Sequence, residues 1–188
     1  MKLAIVVGHN AHSQGAVRSD TGESEYQYNS HLATLIRKLG SRRHVEVLMF
    51  VREPGLGYTA EIEDVYKRVD AEGADASIEL HFNSSGNPSA SGTETFTSGS
   101  PKSVMLAEAV QMEMVEVLGL ADRGIKIRNN RTKGRGYKSL VAGRAPAILI
   151  EPFFGSSVKG KAASDSEHER RMLAEAIFEG ARKAMENF

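Results

Sequence analysis

KLAIVVGHN, residues 2–10, decides the fold: an apolar run from Leu3 to Gly8 is followed at once by a histidine. Such a run is too short for a signal peptide or a membrane span, and it reads as one buried strand over residues 2–7. Outward from it, the pattern changes to helical spacing over residues 24–39, where Tyr28, Leu32, Leu35, Ile36 and Leu39 recur on one face and Gly40 is the expected stop. The alternation continues with a strand at 44–50, a helix at 60–70 and a strand at 76–82 after the Gly73 break. A short strand at 93–97 precedes a helix at 101–118 begun by Ser100 and Pro101. Residues 119–144 read mostly as loop. A buried strand at 147–150 and a closing helix at 167–188, with Met172, Leu173, Ile177, Ala181 and Ala184 inward, complete the chain. Strands alternating with helices predict an α/β fold, a mainly parallel twisted sheet flanked by helices on both faces.

Length and composition set bounds on function. A chain of 188 residues, 40% hydrophobic, suits one compact domain, and residues 1–188 are read as a single catalytic domain with no integral membrane segment. Lys and Arg total 24 and so do Asp and Glu, which argues against bulk attraction to nucleic acid or anionic membrane. With no cysteine, a transition metal has only imidazole and carboxylate ligands available.

Three chemically able residues share one kind of position. AIVV leads into Gly8 and His9, SIEL into His81, and AILI into Glu151. Each stands where a buried strand ends, and in a parallel sheet those carboxyl ends share the rim at which open α/β sheets place their ligands. Glu25, in the first turn of the first helix, joins them from the loop that leaves His9. Two imidazoles and a carboxylate are a catalytic zinc set with one position open, and a further carboxylate nearby can take a proton from water. Glu151 is the hardest to read as scaffolding, since an acid between AILI and PFF is buried at a cost of several kcal/mol unless it meets a partner.

At these residues the sequence resembles the zinc-dependent N-acetylmuramoyl-L-alanine amidases of the Amidase_3 type, found in bacterial cell-wall hydrolases and phage endolysins. The elements are VVGHN with His9, ESEYQYN with Glu25 four before Asn29, GADASIELHFNSS with His81, and APAILIEPFFGSS with Glu151. The resemblance implies His9, Glu25 and His81 as Zn2+ ligands, Glu151 as the catalytic carboxylate, and peptidoglycan as substrate, cut at the amide between N-acetylmuramic acid and L-alanine. Three positions depart from the family pattern: Asn10 replaces a glycine, Glu79 a serine and Ser157 an asparagine. On a strand Glu79 shares a face with His81, so it is either a partner fixing the imidazole tautomer or an acid on a solvated face. Glu23, two residues away, competes with Glu25 as ligand, and the Asn29 spacing favours Glu25.

From Arg123 to Arg144 the chain carries Arg123, Lys126, Arg128, Arg131, Lys133, Arg135, Lys138 and Arg144 with no acid. The segment is either a solvated loop or a rim for stem-peptide carboxylates and anionic wall polymers; Asn83, Arg131 and Arg135 are the candidate substrate-binding residues, with His12 a further one near the site. Nucleic acid is not expected there, because Tyr137 is the sole aromatic residue available for stacking. Two alternatives stand beside the amidase reading: a zinc carboxypeptidase or other amidohydrolase acting within the stem peptide, and a non-catalytic wall-binding protein. With neither export signal nor anchoring module visible, the expectation is a phage or prophage endolysin made in the cytoplasm and acting at the cell wall after release or export.

Overall fold

The computed structural model describes residues 1–188. Six strands form one sheet: β1 (Lys2–Val7), β2 (Glu46–Val51), β3 (Ala76–Leu80), β4 (Thr93–Thr97), β5 (Asp122–Ile127) and β6 (Ala147–Glu151), ordered β2-β1-β3-β6-β4-β5. β2, β1, β3 and β6 are parallel, while β4 pairs antiparallel with β6 and parallel with β5. The predicted sheet is therefore present, with its last two strands reversed.

Period-two alternation distributes the strands between two cores. Leu3, Ile5, Val7, Ile78, Leu80, Ile148 and Ile150 face the larger core under α1 (Glu25–Arg42), α3 (Pro101–Leu118) and α6 (Glu167–Met185). Ala4, Val6 and Phe50 face α2 (Tyr58–Ala71), and Phe96, Ala147 and Leu149 pack with Leu140 of α4 (Tyr137–Val141). Helices thus cover both faces. Ser24 caps α1 in a reciprocal capping box with Gln27, which fixes Glu25 as the first helical residue. No helix is long and apolar enough to cross a membrane.

Several boundaries differ from the sequence reading. α1 runs through Gly40 to Arg42, because Gly40 serves close packing: a Cβ there would collide with Val47, and the left-handed turn falls instead on His44. Residues 119–144 are loop over most of their length, as the sequence indicates, but two regular elements interrupt them. These are β5 and α4, and β5 gives little sequence signal as a half-exposed edge strand whose alternation is broken by a bulge opposite Thr93 and Thr95. The short helix α5 (Val158–Ala162), capped by Ser157, is a further element that periodicity does not reveal. Met172, expected inward on α6, is 40% exposed, whereas Leu173, Ile177, Ala181 and Ala184 are buried.

Candidate metal centre and catalytic carboxylate

β1, β3 and β6 are adjacent and parallel, so their carboxyl ends lie side by side, stitched by Gly8 N–H to the Leu80 carbonyl and His81 N–H to the Ile150 carbonyl, each at 3.1 Å. That register brings His9, His81 and Glu151 to one rim, and the start of α1 delivers Glu25 beneath them. Ligand atoms of His9, Glu25 and His81 all lie within 4.8 Å of one another. His81 Nδ1 is 2.6 Å and His9 Nε2 3.3 Å from Glu25 Oε1.

Each ring has its other nitrogen held from behind. His9 Nδ1 donates to the Ser13 carbonyl at 3.1 Å, and His81 Nε2 donates to Glu79 Oε1 at 2.9 Å. These bonds aim His9 Nε2 and His81 Nδ1 at Glu25. Glu25 is fixed in turn, its Oε2 accepting the Ala16 N–H at 3.1 Å and its Oε1 the Phe82 N–H at 3.2 Å. Two glycines make room: a Cβ on Gly8 would run into the His81 ring, and one on Gly15, at φ +77, would stand 2.6 Å from both Glu25 Oε2 and His9 Nε2.

The electrostatics suit a cation. Burial disfavours charge on Glu25, yet its bonds to His81 and His9 hold it well below the usual carboxylate range. Burial likewise opposes charge on His81, but Glu25 and Glu79 together push it up to about 10. Two carboxylates clasping one ring favour positive charge at this point. A metal ion beside Nδ1 would supply that charge, and two imidazoles with a carboxylate are donors suited to zinc.

Glu151 behaves differently. It is 0% exposed and neither oxygen accepts a hydrogen bond; the Arg135 guanidinium comes within 2.9 Å of Oε1 but off the line of one. Burial lifts its pKa to about 7, against the pull of His81 and Arg135. A buried carboxyl poised near neutrality beside a cluster able to hold a metal is suited to proton transfer. His9, Arg52, Glu79, His81, Arg135 and Glu151 line one pocket of about 140 Å³ over this group.

The remaining candidates divide. Glu79, 1% exposed, is no solvated acid: Tyr66 Oη donates to its Oε2 at 2.9 Å while Oε1 holds His81. Glu23 points away and pairs with Arg170 at 2.8 Å, leaving Glu25 in the cluster. Asn83 is buried between Glu94, which accepts from Nδ2 at 2.8 Å, and Arg135, whose Nη1 donates to Oδ1 at 3.0 Å. Arg135 thereby reaches the site, whereas Arg131 is exposed on the loop with only its backbone N–H engaged, by Asn129. Arg123 and Lys126 of the basic segment neutralise Glu94, the residue paired with Glu151 across the sheet. His12 is exposed.

Asn10 and Ser157, two of the departures, have structural work: Asn10 Oδ1 accepts the His12 and Ser13 N–H groups and its Nδ2 reaches Glu61, while Ser157 caps α5. Ser13, Tyr66 and Arg52 belong to the site without having been expected from the sequence. Arg52 directly follows β2, so the strand-end rule that finds His9 and His81 also points to it.

Comparison with known proteins agrees with this geometry. A family profile described as N-acetylmuramoyl-L-alanine amidase (Amidase_3) matches residues 3–183. The chain belongs to this amidase family. Its activity is accordingly hydrolysis of the amide between N-acetylmuramic acid and L-alanine in peptidoglycan. Among solved structures, the catalytic domain of the amidase CwlV from Bacillus (Paenibacillus) polymyxa var. colistinus is similar at 22% identity, covering 98% of each chain with a TM-score of 0.83. An N-acetylmuramoyl-L-alanine amidase from Clostridium difficile 630 is similar at 23% identity over 98% of this chain and 96% of that one, TM-score 0.82. The catalytic domain of the CD27L endolysin, which targets Clostridia difficile, is similar at 25% identity over 97% of each chain, TM-score 0.82. No curated protein matches the sequence.

Proposed function

We propose that this amidase holds one zinc ion through His9 Nε2, Glu25 and His81 Nδ1, and that Glu151 is its general base and acid. The observation that carries the assignment is the convergence of those three donors within 4.8 Å, beside a fully buried Glu151 whose oxygens accept no hydrogen bond. Zinc in such a ligand set acts as a Lewis acid on the scissile carbonyl and on water. Glu151, in its carboxylate form, accepts a proton from the attacking water and returns it to the departing L-alanine nitrogen. Ser13 and Glu79 keep the two imidazoles in the tautomers that present a lone pair to the ion. Arg135 contributes a positive charge beside Glu151 that favours its ionised form.

The family match over residues 3–183 favours muramoyl amide hydrolysis over a carboxypeptidase cutting within the stem peptide, and the intact ligand set favours an enzyme over a wall-binding protein. Since peptidoglycan lies outside the cytoplasmic membrane, we place the site of action at the cell wall. Likeness to an endolysin catalytic domain supports a lytic role of phage or prophage origin.

Metal analysis tests the assignment. Purified protein is expected to carry one zinc per chain, to lose activity on chelation and to regain it with zinc. Full turnover by metal-free protein would contradict it.

A further inference from the structure

Arg52 is 4% exposed, its Nη2 donates to the Gly8 carbonyl, and its buried Nε has no hydrogen-bond partner. It forms no ion pair with any carboxylate, although it lines the pocket that contains Glu79, His81 and Glu151. The Tyr58 ring, 5.6 Å from the guanidinium carbon, supports it from one side. A buried arginine with donors left over is costly to keep unless something anionic meets it. Arg135 lines the same pocket, its side chain 56% exposed and tethered only to Asn83 and Glu151, on a loop where Gly134 and Gly136 have positive φ.

We infer that Arg52 and Arg135 form a carboxylate-binding subsite beside the metal centre, and that it receives the free carboxylate nearest the scissile bond in the stem peptide. This rests on the amidase reading proposed above. Where the residue after L-alanine in the leaving peptide keeps a free carboxyl group, that group is the anion nearest the scissile amide. Charge supports the assignment: Arg52 and Arg135 are the Arg or Lys side chains that line this otherwise acidic pocket, and they make it attractive to an anion. The subsite therefore discriminates at the second peptide residue. It accepts a carboxylate with charge-assisted bonds and rejects the neutral carboxamide, which offers one acceptor fewer and no charge.

The test uses two synthetic muramoyl tripeptides that differ only in whether the second residue's α-carboxyl is free or a carboxamide. Zinc-loaded protein is expected to prefer the free acid by about tenfold or more in kcat/KM, mostly through KM. Arg135→Gln, on an exposed loop, and Arg52→Gln, at the pocket wall, are each expected to bring that preference below about threefold. Calorimetric binding of the corresponding released tripeptides, which needs no turnover, should show the same order. Equal turnover of both substrates by the unaltered protein, or a preference that survives in both variants, overturns the subsite while leaving the amidase reading intact. Failure to cleave either substrate with zinc bound removes that reading and the subsite together.

Discussion

His81 Nε2 lies 2.9 Å from Glu79 Oε1, and Tyr66 Oη donates to the other Glu79 oxygen at the same distance. A hydroxyl on α2 thus fixes a carboxylate on β3, and the carboxylate fixes the imidazole that faces Glu25. Partners of this kind set tautomer and ring orientation, and their loss typically weakens metal binding about 10- to 100-fold. Glu79→Gln is expected to lower zinc affinity by about tenfold or more, and Tyr66→Phe by less, as read by chelator competition. Unchanged affinity in Glu79→Gln would show that the ring is held by other means.

Glu151→Gln separates chemistry from metal binding. It removes the proton acceptor but touches none of the three ligands, so zinc content should stay at one per chain while kcat falls by about 10²- to 10⁴-fold. His81→Ala should lose zinc and activity together. Metal analysis beside turnover on purified peptidoglycan distinguishes the two patterns.

The buried carboxyl also predicts a pH dependence of stability in the metal-free protein. Burial raises the Glu151 pKa from its ordinary 4.5 to about 7. The folded state therefore binds a proton more tightly than the unfolded one, and the stability this gives is complete below pH 4.5 and lost as pH rises through 7. That difference corresponds to about 3 kcal/mol. Metal-free Glu151→Gln should consequently resemble the parent near pH 4.5 and be more stable than it at about pH 8, measured by urea unfolding at both pH values.

Gly15 offers a steric test of the cluster. Its φ of +77, and the 2.6 Å that would separate a Cβ at this position from Glu25 Oε2 and His9 Nε2, leave a methyl nowhere to go. Gly15→Ala should displace both ligands and weaken zinc by about tenfold or more, against a backbone strain of only about 1 kcal/mol. Chelator competition and thermal unfolding of the metal-free form check the two effects separately.

The residues that are legible in the sequence share a cause. His9, His81 and Glu151 end buried strands, and a run of aliphatic side chains broken by one acid or imidazole is visible without any coordinates. Glu25 is placed by its position at the start of α1, which the Ser24 capping box fixes. What stays hidden depends on contacts between distant segments: Tyr66 meets Glu79 across the α2 face, and Arg135 meets Asn83 through a loop with no periodicity. β5 is obscured because an edge strand buries little, so its sequence carries a weak apolar signal. The basic run from Arg123 to Arg144 is several things at once, part neutralising Glu94, part reaching Glu151, and part exposed.

The most direct measurement is mass spectrometry of peptidoglycan digested by the protein with and without a chelator. Intact glycan strands and stem peptides bearing a new amino group on L-alanine are expected, formed only when chelator is absent or zinc has been restored. Cuts inside the stem peptide, or the same products in the presence of chelator, would contradict a zinc-dependent muramoyl amidase.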